Sequence, residues 1–146
     1  MPTAEPTSRP VSRRQAVVCD ASVVVAALTD TGDRGPRCRE VLRRARDLHA
    51  PHLLDAEVLS ALRGLRRADV IDGAGAVTAI SGLRHMRLQR HAHAGLLAVA
   101  WGLRENVTMY DAMYVALAAV LDRPLVTTDA RLARGAAEHC DIELVA

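Results

Sequence analysis

The pattern of apolar and polar positions divides the chain into short apolar runs alternating with stretches whose apolar residues recur at helical spacing. Residues 16–19 (AVVC) read as a first strand. Asp20-Ala-Ser22 follows at once as a helix-start signal and leads into a first helix over 23–28. A turn cluster at 31–36 (TGDRGP) precedes a second helix over 36–46, with Cys38, Val41, Leu42 and Ala45 on one face. Residues 48–50 form a short strand before Pro51, and residues 54–67 carry the stripe Leu54, Val58, Ala61, Leu62 and Leu65 of a third helix. A glycine-containing helix follows over 73–85, and 86–89 read either as a strand or as a connection. Helices over 92–104 and 110–122, a strand over 124–128, a helix from Asp129 through 137 and a strand over 142–145 complete the order. Such alternation predicts the α/β class: a parallel sheet covered on both faces, in three α/β/α layers. Ligands in these folds sit at the carboxyl ends of the strands, so Asp20 and Asp129 are expected to share one rim.

Composition narrows the chemistry. A length of 146 residues, half of them apolar and a quarter charged, suits one soluble globular domain. Residues 1–15 hold three of the six prolines and no apolar segment, which predicts a disordered tail ahead of a single domain over 16–146. Every basic residue is Arg and none is Lys. P-loop phosphate binding, Schiff-base chemistry and Ser/Lys hydrolysis are therefore excluded. With Phe absent and only Trp101, Tyr110 and Tyr114 as aromatics, a reader that stacks bases on an aromatic sheet is excluded as well. A net charge of +2 implies no polyanion partner by itself, although Arg clusters at 37–46, 63–67 and 84–90 provide either solvated helix faces or an anion-binding rim. Three widely spaced cysteines form no C-x-x-C pair and fit a reducing cytoplasm. The longest apolar run, ten residues over 112–121, is too short for a membrane span, which needs roughly 18.

Four carboxylates stand out. Asp20 and Asp129 each have an ordinary reading as helix caps, and Asp111 suits the positive end of its helix dipole. The helix after Asp111 has almost no polar face, however, so that acid is held near the interior. Glu57 falls at the edge of an apolar stripe and needs a partner, for which an Arg is one reading. Should the four converge, each close pair costs on the order of 4 kcal/mol against a total stability of about 5 to 15 kcal/mol. Bound cations, raised pKa values or both would be required. An all-oxygen donor set favours Mg²⁺ or Mn²⁺ over zinc. His91-x-His93 reads as a solvated pair rather than a metal clip, and Cys19 as a small core residue.

The segments Val17-Val-Cys-Asp20-Ala-Ser22, Pro51-His-Leu-Leu-Asp-Ala-Glu57-Val, Tyr110-Asp111-Ala-Met-Tyr114 and Pro124-Leu-Val-Thr-Thr-Asp129 resemble the ordered acidic motifs of the PIN domain, and more narrowly those of VapC-type toxins of bacterial toxin–antitoxin pairs. The resemblance covers residues 16–146. It implies a sheet of four to five strands and a Mg²⁺- or Mn²⁺-dependent endoribonuclease acting on cellular RNA. Asp20, Glu57, Asp111 and Asp129 are the implied metal-holding and catalytic acids, with Ser22 and Thr128 as supporting hydroxyls. Arg131 stands where some relatives carry a further acid. The implied partners are a VapB-type antitoxin, seated against the helices over 23–28 and 54–65, and a second copy of the chain. Water activated by metal would leave a 5′-phosphate and a 3′-hydroxyl. Two rivals fail on residues: a phospho-receiver needs a late-strand Lys, and an Asp-nucleophile phosphatase needs D-x-D-x-T where this chain has Asp20-Ala-Ser22-Val-Val. A third, a PIN-like fold kept as a protein-binding module without turnover, stays open.

Overall fold

The computed structural model describes residues 15–146, so the tail predicted over 1–15 lies, but for Gln15, outside the described residues. The elements are β1 (Val17–Cys19), α1 (Ala21–Thr29), α2 (Arg34–Arg44), β2 (Leu48–Pro51), α3 (Leu53–Arg67), α4 (Gly73–His85) and β3 (Leu88–His91). A 3₁₀ turn (Ala94–Leu96), α5 (Leu97–Gly102), α6 (Met109–Leu121), β4 (Leu125–Thr127), α7 (Ala130–Ala136) and β5 (Ile142–Leu144) follow. Among the described residues these strands form one parallel sheet in the order β3-β2-β1-β4-β5. Crossovers from β1 through β2 to β3 run one way across the sheet, and those from β3 through β4 to β5 run back. Right-handed connections therefore place α1 to α4 on one face and α5 to α7 on the other. The predicted three layers are present, with five strands.

The central strands are short because both of their faces are covered. Val17, Val18, Cys19, Leu125 and Val126 are all fully buried, and the fully buried side chains of Val23, Val24, Leu54, Val58, Leu117 and Leu132 join the same core. α6 packs on β1, β2 and β4, and its buried run from Tyr114 to Ala118 explains the helix without a polar face. Of residues 86–89, left open between strand and connection, Met86 and Arg87 connect α4 to the edge strand, and Leu88 and Gln89 open β3. Arg90 fixes that strand from the side, pairing bidentately with Asp55 of α3 at 2.7 and 2.9 Å.

The helix predicted over 92–104 is shortened at its start. His91 O accepts from His52 N at 2.8 Å and His93 Nε2 accepts from Leu53 N at 3.0 Å, so residues 91–93 are tied to the β2–α3 junction and turn there instead of coiling. At the far end Arg104 lies in the turn after α5. No helix among the described residues is long and apolar enough to cross a membrane.

Candidate active site

The carboxyl edge of the sheet collects the acids. Asp20 follows β1 directly, Asp129 follows β4 by one residue, Glu57 lies early in α3 and Asp111 lies in the first turn of α6. Asp20 is only 6% exposed. It holds the cap position of α1 yet makes no capping bond with its side chain. Instead Ser22 Oγ donates to Asp20 Oδ2 at 2.6 Å and Thr127 Oγ1 donates to the same oxygen at 2.9 Å. Among the described residues no side chain donates to Oδ1. Asp129 does cap its helix, accepting from Arg131 N at 2.8 Å and Leu132 N at 3.2 Å.

The hydroxyl on Asp20 is that of Thr127, where the sequence pointed to Thr128. β1 and β4 are parallel with Cys19 beside Val126, so the next pair in register is Asp20 and Thr127. Side chains alternate along a strand, which turns Thr128 away. Thr128 takes part through its backbone, its N–H donating to Ser22 Oγ at 3.0 Å. Thr127 Oγ1 also accepts from Asp129 N at 3.0 Å, so one hydroxyl links two of the acids' segments.

Burial raises the Asp20 carboxyl above its ordinary value, against the pull of the Ser22 and Thr127 hydroxyls. Burial also raises Glu57, and the charges of Asp20 and Asp111 add to the rise. Asp111 is raised by burial first and by Asp20 next, while Arg131 opposes. Glu57 and Asp111 thus both sense the charge of Asp20, and Asp111 that of Asp129 as well. Among the described residues Glu57 has no Arg partner. Its Oε1 is buried without a hydrogen bond of ordinary geometry, as is the hydroxyl of Tyr114, although that hydroxyl is near enough to draw the Glu57 carboxyl back down. The sequence places Tyr114 at the end of the Tyr110–Tyr114 motif without giving it a role. The signal was its position three residues after Asp111, which puts both on one face of α6.

A cluster of raised carboxyls at one rim is the kind of oxygen-rich environment in which a hydrated divalent cation would offset the repulsion. Among the described residues no three His, Cys, Asp or Glu side chains already converge on one point. The donor set fits a hard cation by its oxygen chemistry. His91 and His93 take no part. His91 Nε2 lies 2.9 Å from His49 Nδ1, and His93 serves Leu53 N.

The signature of the PIN domain matches residues 17–138. The chain belongs to the PIN-domain family. Within that family it is 44% identical over 129 residues to ribonuclease VapC1 of Mycobacterium tuberculosis, spanning 88% of this chain and 96% of that protein. It is a VapC-type PIN domain. Its fold matches that of PAE2754 from Pyrobaculum aerophilum with a TM-score of 0.64 at 23% identity, over 98% of this chain and 93% of the other. A chain in the structure of VapBC2 from Rickettsia felis bound to a DNA fragment from their promoter matches with a TM-score of 0.63 at 12% identity, over 89% and 98%.

Proposed function

We propose that this PIN domain is a divalent-metal-dependent endoribonuclease, the toxin of a toxin–antitoxin pair, acting on cellular RNA in the cytoplasm. The observation that carries the reading is the meeting of Asp20, Glu57 and Asp111 at one rim, each raised by burial and two of them further by Asp20. Similarity to ribonuclease VapC1 supports the choice of RNA. A protein holds mutually repelling acids near its interior when a ligand offsets the cost.

Asp20, Asp111, Glu57 and Asp129 are the residues that would hold Mg²⁺ or Mn²⁺. Such a cation supplies charge neutralisation at the phosphate and lowers the pKa of water. Ser22 and Thr127 hold the Asp20 carboxylate by one oxygen, Oδ2, and so fix its orientation at the rim. Glu57, raised by burial and by the charges of Asp20 and Asp111, has the Tyr114 hydroxyl beside it to steady its carboxylate. In-line attack forms a bond from water oxygen to phosphorus and breaks the bond to O3′, leaving a 5′-phosphate and a 3′-hydroxyl. For partners, we propose a VapB-type antitoxin along α1 and α3, where Leu59 is exposed, and a second copy of the chain.

The test is cleavage of end-labelled cellular RNA by the purified chain in Mn²⁺, Mg²⁺ or EDTA, beside Asp111→Asn. Discrete cuts with 5′-phosphate ends, lost in EDTA and in the variant, are expected. Cyclic phosphate ends would overturn the water mechanism. A folded, antitoxin-free sample that cuts with neither metal would instead favour a protein-binding module.

A further inference from the structure

We propose that Trp101 and Arg104 form a nucleobase-stacking platform that leads single-stranded RNA to the acids, an inference resting on the ribonuclease reading above. Trp101 is 62% exposed on α5, and it is the sole Trp of the chain. It is also pre-ordered. The Arg104 guanidinium lies over the indole at 5.0 Å from the ring centroid, and its Nη1 donates to Trp101 O at 3.0 Å. Indole and guanidinium planes are the two surfaces on which unpaired bases stack.

The platform is continuous with the acids. Arg104 lines a groove of about 340 Å³ together with Asn106, Thr108, Asp111 and Arg131. Arg131 makes no ion pair within 4 Å among the described residues, and its charge acts on Asp111. A phosphodiester entering here meets a lining that carries Arg104 and Arg131 together with Asp111 and Glu105, the last 3.8 Å from Arg104. Such a charged lining disfavours an apolar helix, which would bury two arginines to reach one indole, and the base-stacking surface is what favours a nucleic-acid strand. The groove wall is firm. A Cβ on Gly135 would stand 2.7 Å from Asn106 O and 2.8 Å from Val107 Cγ1, so the segment joining Arg104 to α6 rests directly on α7.

The lone Trp makes the proposal readable in the intact protein. The full chain, freed of partner and held in EDTA, is titrated with a labelled single-stranded RNA and with an abasic ribose-phosphate oligomer of equal length. Label anisotropy reports binding and indole emission reports stacking. Saturable quenching by the base-bearing strand and none by the abasic one is expected, with Arg104→Gln and Trp101→Leu each weakening RNA binding about tenfold. RNA that binds with indole emission unchanged would overturn the platform. So would equal quenching by the abasic strand, or an emission change that follows protein concentration alone and marks a contact between copies. Cleavage with a silent indole removes the platform and keeps the nuclease, whereas stacking without metal-dependent cleavage does the reverse.

Discussion

Thr127 Oγ1 lies 2.9 Å from Asp20 Oδ2 across the β1–β4 pair and fixes the most buried acid of the rim. Because the same hydroxyl receives Asp129 N, its loss leaves two groups short of a partner. Thr127→Val is expected to cost about 1 to 3 kcal/mol in denaturant unfolding and to push Asp20 further up in pKa. Thr128→Val keeps its backbone bond to Ser22 and is expected to stay within about 0.5 kcal/mol of the parent. Equal losses in the two variants would contradict this assignment.

Asp111 carries a stability cost with a defined sign. Its carboxyl is raised by burial and then by Asp20, so the folded state holds the proton more tightly than the unfolded one. Stability is therefore lost as pH rises from the unfolded value through the folded one. Asp111→Asn is expected to melt higher than the parent in EDTA at pH 7.5, with the gap closing toward pH 4. Mn²⁺ should raise the parent's melting temperature more than the variant's. An equal Mn²⁺ effect in both would remove Asp111 from the proposed metal-holding set.

The His49–His91 contact predicts a separate acid sensitivity. Their ring nitrogens are 2.9 Å apart, and both rings cannot hold a proton in that gap. Burial lowers the His49 pKa, His91 and Arg123 lower it further, and Asp47 opposes them. The unfolded chain takes up this proton first, near 6.5, so the contribution is present above that pH and fades below it. The raised acids act in the opposite direction. The measurement is therefore the difference in melting temperature between parent and His49→Gln from pH 7.5 to 5.5, and the parent should lose more.

Gly135 is a packing requirement on the same edge. Gly135→Ala puts a methyl into Asn106 O and Val107 Cγ1, and overpacking of this kind costs about 1 to 3 kcal/mol. Calorimetry should show a lowered melting temperature, and cleavage should fall with it as the groove beside Asp111 opens. An unchanged melting temperature would mean that the segment before α6 yields freely.

Much of the fold was legible because two-sided burial writes short apolar strands, and because Asp20 and Asp129 stand directly after two of them. Glu57 and Asp111 were legible as acids on apolar helices. What escaped depends on sheet register and on meetings across the chain. The choice between Thr127 and Thr128 follows from the pairing of Cys19 with Val126, which no local pattern encodes. The proximity of Tyr114 to Glu57 arises where α3 and α6 reach the same edge. The segment over 92–104 is rich in Ala and Leu, and only the ties of residues 91–93 to the β2–α3 junction explain why its helix starts late.

The pairing of β1 with β4 also governs when activity can arise. Ser22 and Thr127, the two clamps on Asp20, are separated by 105 residues, and contacts so distant form late because the intervening chain must first be closed into a loop. A nascent chain still missing β4 has neither Thr127 nor Asp129 to complete the rim. In the proposed reading, a ribosome making this ribonuclease therefore carries a harmless product until β4 and Asp129 have been translated.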